Sequence, residues 1–158
     1  MTQGKTSVRV HRLAALAALL VAAGCGTTRS FFGGELAAAI YTAPALNQNS
    51  PVQLELLVIY DDQLLQQVTS LTAQQWFAQR EQILRDHAAK KSLVSRYWEL
   101  VPGQPAIEER VSFDVGARAA VVFANYASAG AHRLRMDPHQ DVVIHLGDSD
   151  VSSSPAAN

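Results

Sequence analysis

The residues best suited to chemistry in this chain lie between positions 137 and 145. Asp137-Pro138-His139-Gln140-Asp141 places three donors at alternate positions, and His145 follows four residues after Asp141. A zinc ion needs three or four N, S or O donors converging in space. Alternation along a strand would send Asp141 and His145 to one face. The same stretch also reads as a polar turn between short strands, where such residues occur without any metal. We assign it no metal and the chain no cofactor. There is no Gly-x-Ser-x-Gly elbow, and no serine shares a recognisable local context with a histidine and a carboxylate. Asp61-Asp62 is an acidic pair, but neighbouring strand residues point to opposite faces. It reads as a strand ending in a polar turn. Trp76 and Trp98 read as core packing rather than as a sugar platform. Nothing in these residues calls for an enzyme.

Cys25 carries the chemistry that remains. It is the only cysteine in the chain, so a disulfide framework and a thiolate metal site are both excluded. Lys5, Arg9, His11 and Arg12 precede an apolar run from Leu13 to Gly24, which ends at Cys25. A charged start, roughly 7–15 apolar residues and small residues at a cut site make a secretory signal. The run is too short for a membrane span, which needs about 20 apolar residues. Ala22-Ala23-Gly24-Cys25 resembles the lipobox at which bacterial signal peptidases leave a lipid-modified cysteine. That resemblance implies an acylated Cys25 that anchors the chain in the bilayer. Gly26 stands where an Asp often marks inner-membrane retention, and by that sorting rule the outer membrane is the expected address.

Removal of residues 1–24 leaves 134 of the 158 residues, enough for one domain and too few for two. Three of the 13 basic residues and none of the 14 acidic ones fall in the signal, so the net charge goes from −1 to −4. The remaining arginines and lysines are scattered. An acidic chain without a basic stripe has no long-range attraction for nucleic acid, and that class is excluded.

Periodicity sets the elements. Residues 25–35 read as the acylated cysteine and a short tether, in which Phe31 and Phe32 could dock on the domain or the bilayer. Strands are expected at Leu36–Ala43, Val52–Tyr60, Leu93–Val101, Ile107–Val115, Arg118–Ala127, His132–Met136 and Val142–Leu146. Arg118–Ala127 is rich in Val and aromatic residues and is expected to be buried on both faces. Thr72–Asp86 is helical, with Thr72 and Gln75 forming a capping box. Trp76, Phe77, Arg80, Ile83, Leu84 and His87 lie along one face of it. A shorter helical piece, Gln63–Thr69, precedes it. Ser152–Asn158 reads as a disordered tail. The expectation is a mainly β, transthyretin- or immunoglobulin-like β-sandwich over 36–151, with a helical insertion at about 62–88 after the second strand.

The order of these segments resembles a family, the outer-membrane lipoproteins of type VI secretion systems known as TssJ (VasD/Lip). The resemblance covers about Leu36 to Val151. It rests on an Asn-containing loop and Pro-Val strand, Leu46-Asn-Gln-Asn-Ser-Pro-Val52 through Val58-Ile-Tyr60. The helical aromatic pair Trp76-Phe77, the Pro102-Gly103 strand end, Ala119–Tyr126 and Asp141–Leu146 follow in the family's order. Two features depart from it. The Asn-containing loop is short, and the usual Trp-Arg pair is His132-Arg133. The resemblance implies a structural role: binding the periplasmic domain of an inner-membrane, TssM-like subunit. The implied contact is the loop Ala45–Ser50, with Leu46 as apolar anchor and Asn47, Gln48, Asn49 and Ser50 supplying polar contacts. The alternative is a pilotin-like or other peptide-binding lipoprotein using an exposed strand edge.

Overall fold

Val52 to Ile59 carries apolar residues at six of its eight positions, a composition that suits a strand covered on both faces. The computed structural model describes residues 33–157. The expected export signal, Cys25 and most of the expected tether lie outside the described residues. Among those described, the elements run β1 (Gly34–Thr42), β2 (Val52–Ile59), α1 (Asp62–Ser70), α2 (Ala73–Ala88), β3 (Leu93–Leu100) and β4 (Ile107–Phe113). They continue with β5 (Ala119–Ala124), β6 (Arg133–Met136), β7 (Val142–Leu146) and β8 (Val151–Pro155). The chain is mainly β, as its periodicity requires.

The strands form two four-stranded sheets, β4-β1-β7-β8 and β3-β2-β5-β6. β1 and β7 are parallel, in register at Ile40 and Ile144, and the other pairs are antiparallel. Alternation along β1 turns Leu36, Ala38 and Ile40 inward and leaves Ala37, Ala39 and Tyr41 outward. The inward set meets Leu54, Leu56 and Val58 of β2 and Val122 of β5 in one core between the sheets. Each leucine, isoleucine or valine among them contributes about 1.5–3 kcal/mol on full burial. Trp98 packs against the same core.

The outer face of β2 and β5 is apolar too, through Leu57, Ile59, Val121 and Phe123, and the two helices cover it. Asp61 caps α1, its carboxylate accepting from Leu64 N at 2.7 Å. The acidic pair is thus a helix start rather than the polar turn expected after the strand. Thr72 and Gln75 complete the capping box on α2. Trp76 is fully buried and stacks on Phe123 with ring centroids 5.1 Å apart.

A single buried carboxylate locks α2 to the sheet. Glu55 is 0 % exposed and accepts from Trp76 Nε1 (2.9 Å), Arg80 Nε (2.8 Å) and Nη2 (3.0 Å), and Ser95 Oγ (2.5 Å). Burying a carboxylate is costly unless it is paired and hydrogen-bonded, and here it is both. Arg80 also lies 5.1 Å from the Tyr97 ring centroid, a cation–π contact.

One expectation fails. Ser152 onward is not a disordered tail: Val151–Pro155 is β8, paired antiparallel with β7 from Leu146↔Val151 to Val142↔Pro155. Its side chains are mostly exposed serines. Backbone pairing and the single buried Val151 hold it, so hydropathy left no trace.

Candidate partner-binding loop

Both ends of the sandwich carry loops, and the loop after β1 is the most constrained. It begins with Ala43, whose N–H donates to Leu146 O at 2.8 Å, and it runs between Pro44 and Pro51. Leu46–Asn49 makes one helical turn whose backbone is left-handed at Asn47 (φ 47°, ψ 45°) and Gln48 (φ 56°, ψ 45°). Asn49 also has a positive φ, 63°. A left-handed residue costs roughly 1–2 kcal/mol, and asparagine tolerates it best. Gln48 has no such excuse, so the strain concentrates there.

Two residues hold the strained turn. Leu46 is 0 % exposed and belongs to the core between the sheets. Asn47 is 5 % exposed, and its side chain donates to Pro51 O (3.1 Å) and accepts from Ala127 N (2.8 Å). Leu46, expected as an apolar anchor for a partner, is therefore an anchor for its own loop. Asn47 likewise spends its polar atoms internally. What the turn presents to solvent is Gln48, Asn49 and Ser50.

Neighbouring loops brace this end. Gly103 N donates to Ala43 O (3.1 Å), seating the turn after β3 beside Pro44. Tyr126, 1 % exposed, directs its hydroxyl at Gly147 O and Asp150 O, both at 3.0 Å. Burial is the main cause that raises the Tyr126 phenol well above its ordinary value, with Asp150 and Asp148 adding to it. His132 Nδ1 lies 2.8 Å from Asp150 Oδ1, and the ring packs against Tyr126 at 5.0 Å. Three loops, at 43–51, 125–132 and 147–150, are thereby tied into one surface.

Ser128, His132 and Asp150 together imitate a nucleophilic triad, with Ser128 Oγ 3.3 Å from His132 Nε2. The geometry does not supply a base. Nε2 lies closer to the Ser128 carbonyl oxygen, at 2.9 Å, than to the hydroxyl, and Nδ1 faces a carboxylate. The nitrogen nearest the serine hydroxyl thus has a backbone oxygen as its closer neighbour. The hydroxyl is spent on Ser149 O at 3.0 Å. Gly130 also packs on the imidazole so closely that any Cβ there would clash. The sequence showed Ser128 and His132 four apart, but Asp150 arrives only through the β7–β8 turn.

The donors between Asp137 and His145 are dispersed. His145 stacks on Tyr41 on the outer face of its sheet (5.7 Å), whereas the His139 ring packs edge-on against Phe113 (5.2 Å). Asp137 caps its own turn by accepting from His139 N, and Asp141 accepts from Ala37 N. Among the described residues, no three His, Cys, Asp or Glu side chains are placed to hold a metal.

This combination defines a class: a two-sheet sandwich with one helical face and a braced loop end. Known structures share its fold. The chain is similar to the type VI secretion lipoprotein TssJ1 from Pseudomonas aeruginosa at 20 % identity, covering 80 % of this chain and 98 % of that one (TM-score 0.55). It is similar to Serratia marcescens Lip, a membrane-bound component of the type VI secretion system, at 15 % identity, covering 80 % and 99 % (TM-score 0.59). A chain in the structure of the type VI protein TssM C-terminal domain (869–1107) from EAEC matches at 15 % identity, covering 78 % and 99 % (TM-score 0.56). These likenesses establish a shared fold. No protein-family model and no curated protein matches the chain.

Proposed function

We propose that this chain is a divergent TssJ-like lipoprotein of a type VI secretion membrane complex. In this reading acylated Cys25 holds it in the outer membrane, facing the periplasm, and its role is structural rather than enzymatic. Its partner is the periplasmic domain of an inner-membrane, TssM-like subunit. The observation that carries the reading is the fold match, which spans nearly the whole of TssJ1 and of Lip. A chain of this fold also occurs in structures of a TssM C-terminal domain and of a type VI membrane complex.

The partner contact is made by Gln48, Asn49 and Ser50, while Leu46 and Asn47 set the turn's shape. A turn already fixed in one conformation loses little entropy on binding. The geometry suits a bridging role as well. β1 starts beside the tether at Gly34 and ends at Thr42, beside this turn, and nine strand residues span about 30 Å. The point where the tether joins the fold and the contact thus sit at opposite ends of β1. Three of the four sheet edges are poor alternatives: β6 has four residues, β8 ends at a proline and β4 carries Glu108, Glu109 and Arg110, all features that discourage strand addition, which leaves the eight-residue β3 as the one longer edge.

The test is co-purification from membranes of cells producing the tagged, acylated chain together with the TssM-like subunit. The subunit should follow the parent chain and not the Gln48→Ala/Asn49→Ala/Ser50→Ala variant. Equal recovery with both would place the contact elsewhere.

A further inference from the structure

Val115 is the most exposed of the large apolar residues described, at 59 %. A lone exposed valine needs no explanation by itself, but its position does. Val115 sits in the turn between β4 and β5, and β4 ends at Phe113, which pairs with Gly34, the first residue of β1. Gly33, where the chain enters the fold, has a positive φ of 76°, and a side chain there would collide with Phe113 and Asp114. The tether and the Val115 turn therefore leave the domain at the same point.

The turn is firmly built. Asp114 N donates to the Tyr60 hydroxyl at 2.9 Å, and Arg118 N donates to Ile59 O at 2.7 Å. Gly116, at φ 91°, has open space around it, so the turn projects. Tyr60 N donates to Ser92 O at 2.9 Å, which brings the exposed Lys90-Lys91 turn to the same end. Seven residues separate Cys25 from Gly33, so the chain between them reaches about 27 Å at most. A tether that short keeps the end of the domain near the bilayer at an effective concentration on the order of millimolar, where a weak contact is occupied.

We propose, resting on the reading of Cys25 as acylated, that this end of the sandwich seats on the bilayer surface, with Val115 entering the interfacial region. Lys90 and Lys91 lie at the head-group level beside it. Charges of both signs share this end, Asp62 pairing with Arg118 at 3.5 Å, so apolar contact dominates and anionic lipid is not required. Seating would fix the domain's axis against the membrane and aim the Gln48–Ser50 turn away from it.

The lone native cysteine makes a direct test possible, because acylation blocks its thiol. Val115→Cys and Gln48→Cys are each labelled with a polarity-sensitive thiol probe in the acylated full chain. The chains are reconstituted into vesicles of phosphatidylethanolamine, with and without phosphatidylglycerol. Val115→Cys is also labelled in the mature Cys25→Ser chain in solution. The proposal requires an apolar signal at position 115 on both vesicles and an aqueous one in solution, with position 48 aqueous throughout. A water-exposed probe at 115 on vesicles that float with the protein overturns the seating and leaves the anchor intact. An apolar signal in solution as well means that Phe31 and Phe32 cover the site, and also overturns it. Failure to float overturns both readings.

Discussion

Asn47 Oδ1 accepts the backbone N–H of Ala127 at 2.8 Å, joining two loops that lie eighty residues apart in sequence. The bond fixes a left-handed turn whose exposed residues do not hold it in place. Asn47→Ala removes this bond and the one to Pro51 O, so two side-chain hydrogen bonds that pin the turn are lost. Stability should fall by about 1–3 kcal/mol. Partner affinity should fall too, although no exposed residue changes. Thermal melts and a binding titration on one preparation check both.

Gln48 is the residue least suited to its own backbone, at φ 56°. Gln48→Gly removes the left-handed penalty but adds chain entropy to the unfolded state. The balance should favour the folded state by up to about 1 kcal/mol. A lower melting temperature for Gln48→Gly would mean that the turn is not strained as described.

Glu55 holds α2 on its sheet through Trp76, Arg80 and Ser95. Glu55→Ala strands a buried indole N–H and a guanidinium, and breaking a buried pair costs roughly 3–5 kcal/mol. Once Glu55 is gone, Arg80→Ala should add little. A double-mutant cycle by denaturant unfolding reads that coupling, and simple additivity would argue against it.

Tyr126 sets the alkaline limit of the loop end. Its phenol is raised in the folded chain from the ordinary value of 10.0, so the folded state holds the proton more tightly than the unfolded one. Its contribution to stability is complete below pH 10.0 and is lost as pH rises above it. Tyr126→Phe, which lacks the hydroxyl bonds, should be about 1–2 kcal/mol less stable at neutral pH. It should also lose less of its stability between about pH 10 and 12. Melting temperatures of the two proteins across that range provide the comparison.

Val58 and Val122 belong to the two central strands and face the core between the sheets. Val58→Asp or Val122→Asp buries an unpaired charge, costing several kcal/mol against about 5–15 kcal/mol of total stability. Neither variant should unfold cooperatively. Soluble, two-state unfolding of both would contradict the strand assignment.

Much of this architecture was legible because it is periodic. β2 was expected over Val52–Tyr60 and ends at Ile59, since Tyr60 turns its hydroxyl to Asp114 N. The capping box on α2 was visible because Thr72 and Gln75 are local partners. Where partners are distant, the sequence was silent. β8 is held by backbone pairing with β7, so its serines looked like a tail. Leu46 and Asn47 looked like loop surface because their burial follows from a left-handed turn and from Ala127, neither of which has a periodic signature. The His132–Asp150 contact also depends on topology alone.

Calorimetric titration reads whether Gln48, Asn49 and Ser50 contact a TssM-like periplasmic domain. That domain is titrated into the mature Cys25→Ser chain and into its Gln48→Ala/Asn49→Ala/Ser50→Ala counterpart. Binding to the first should be saturable and binding to the second at least about tenfold weaker, roughly 1.4 kcal/mol, with melting temperatures that match closely. Binding of equal strength to both chains, or no binding to either, would contradict that contact.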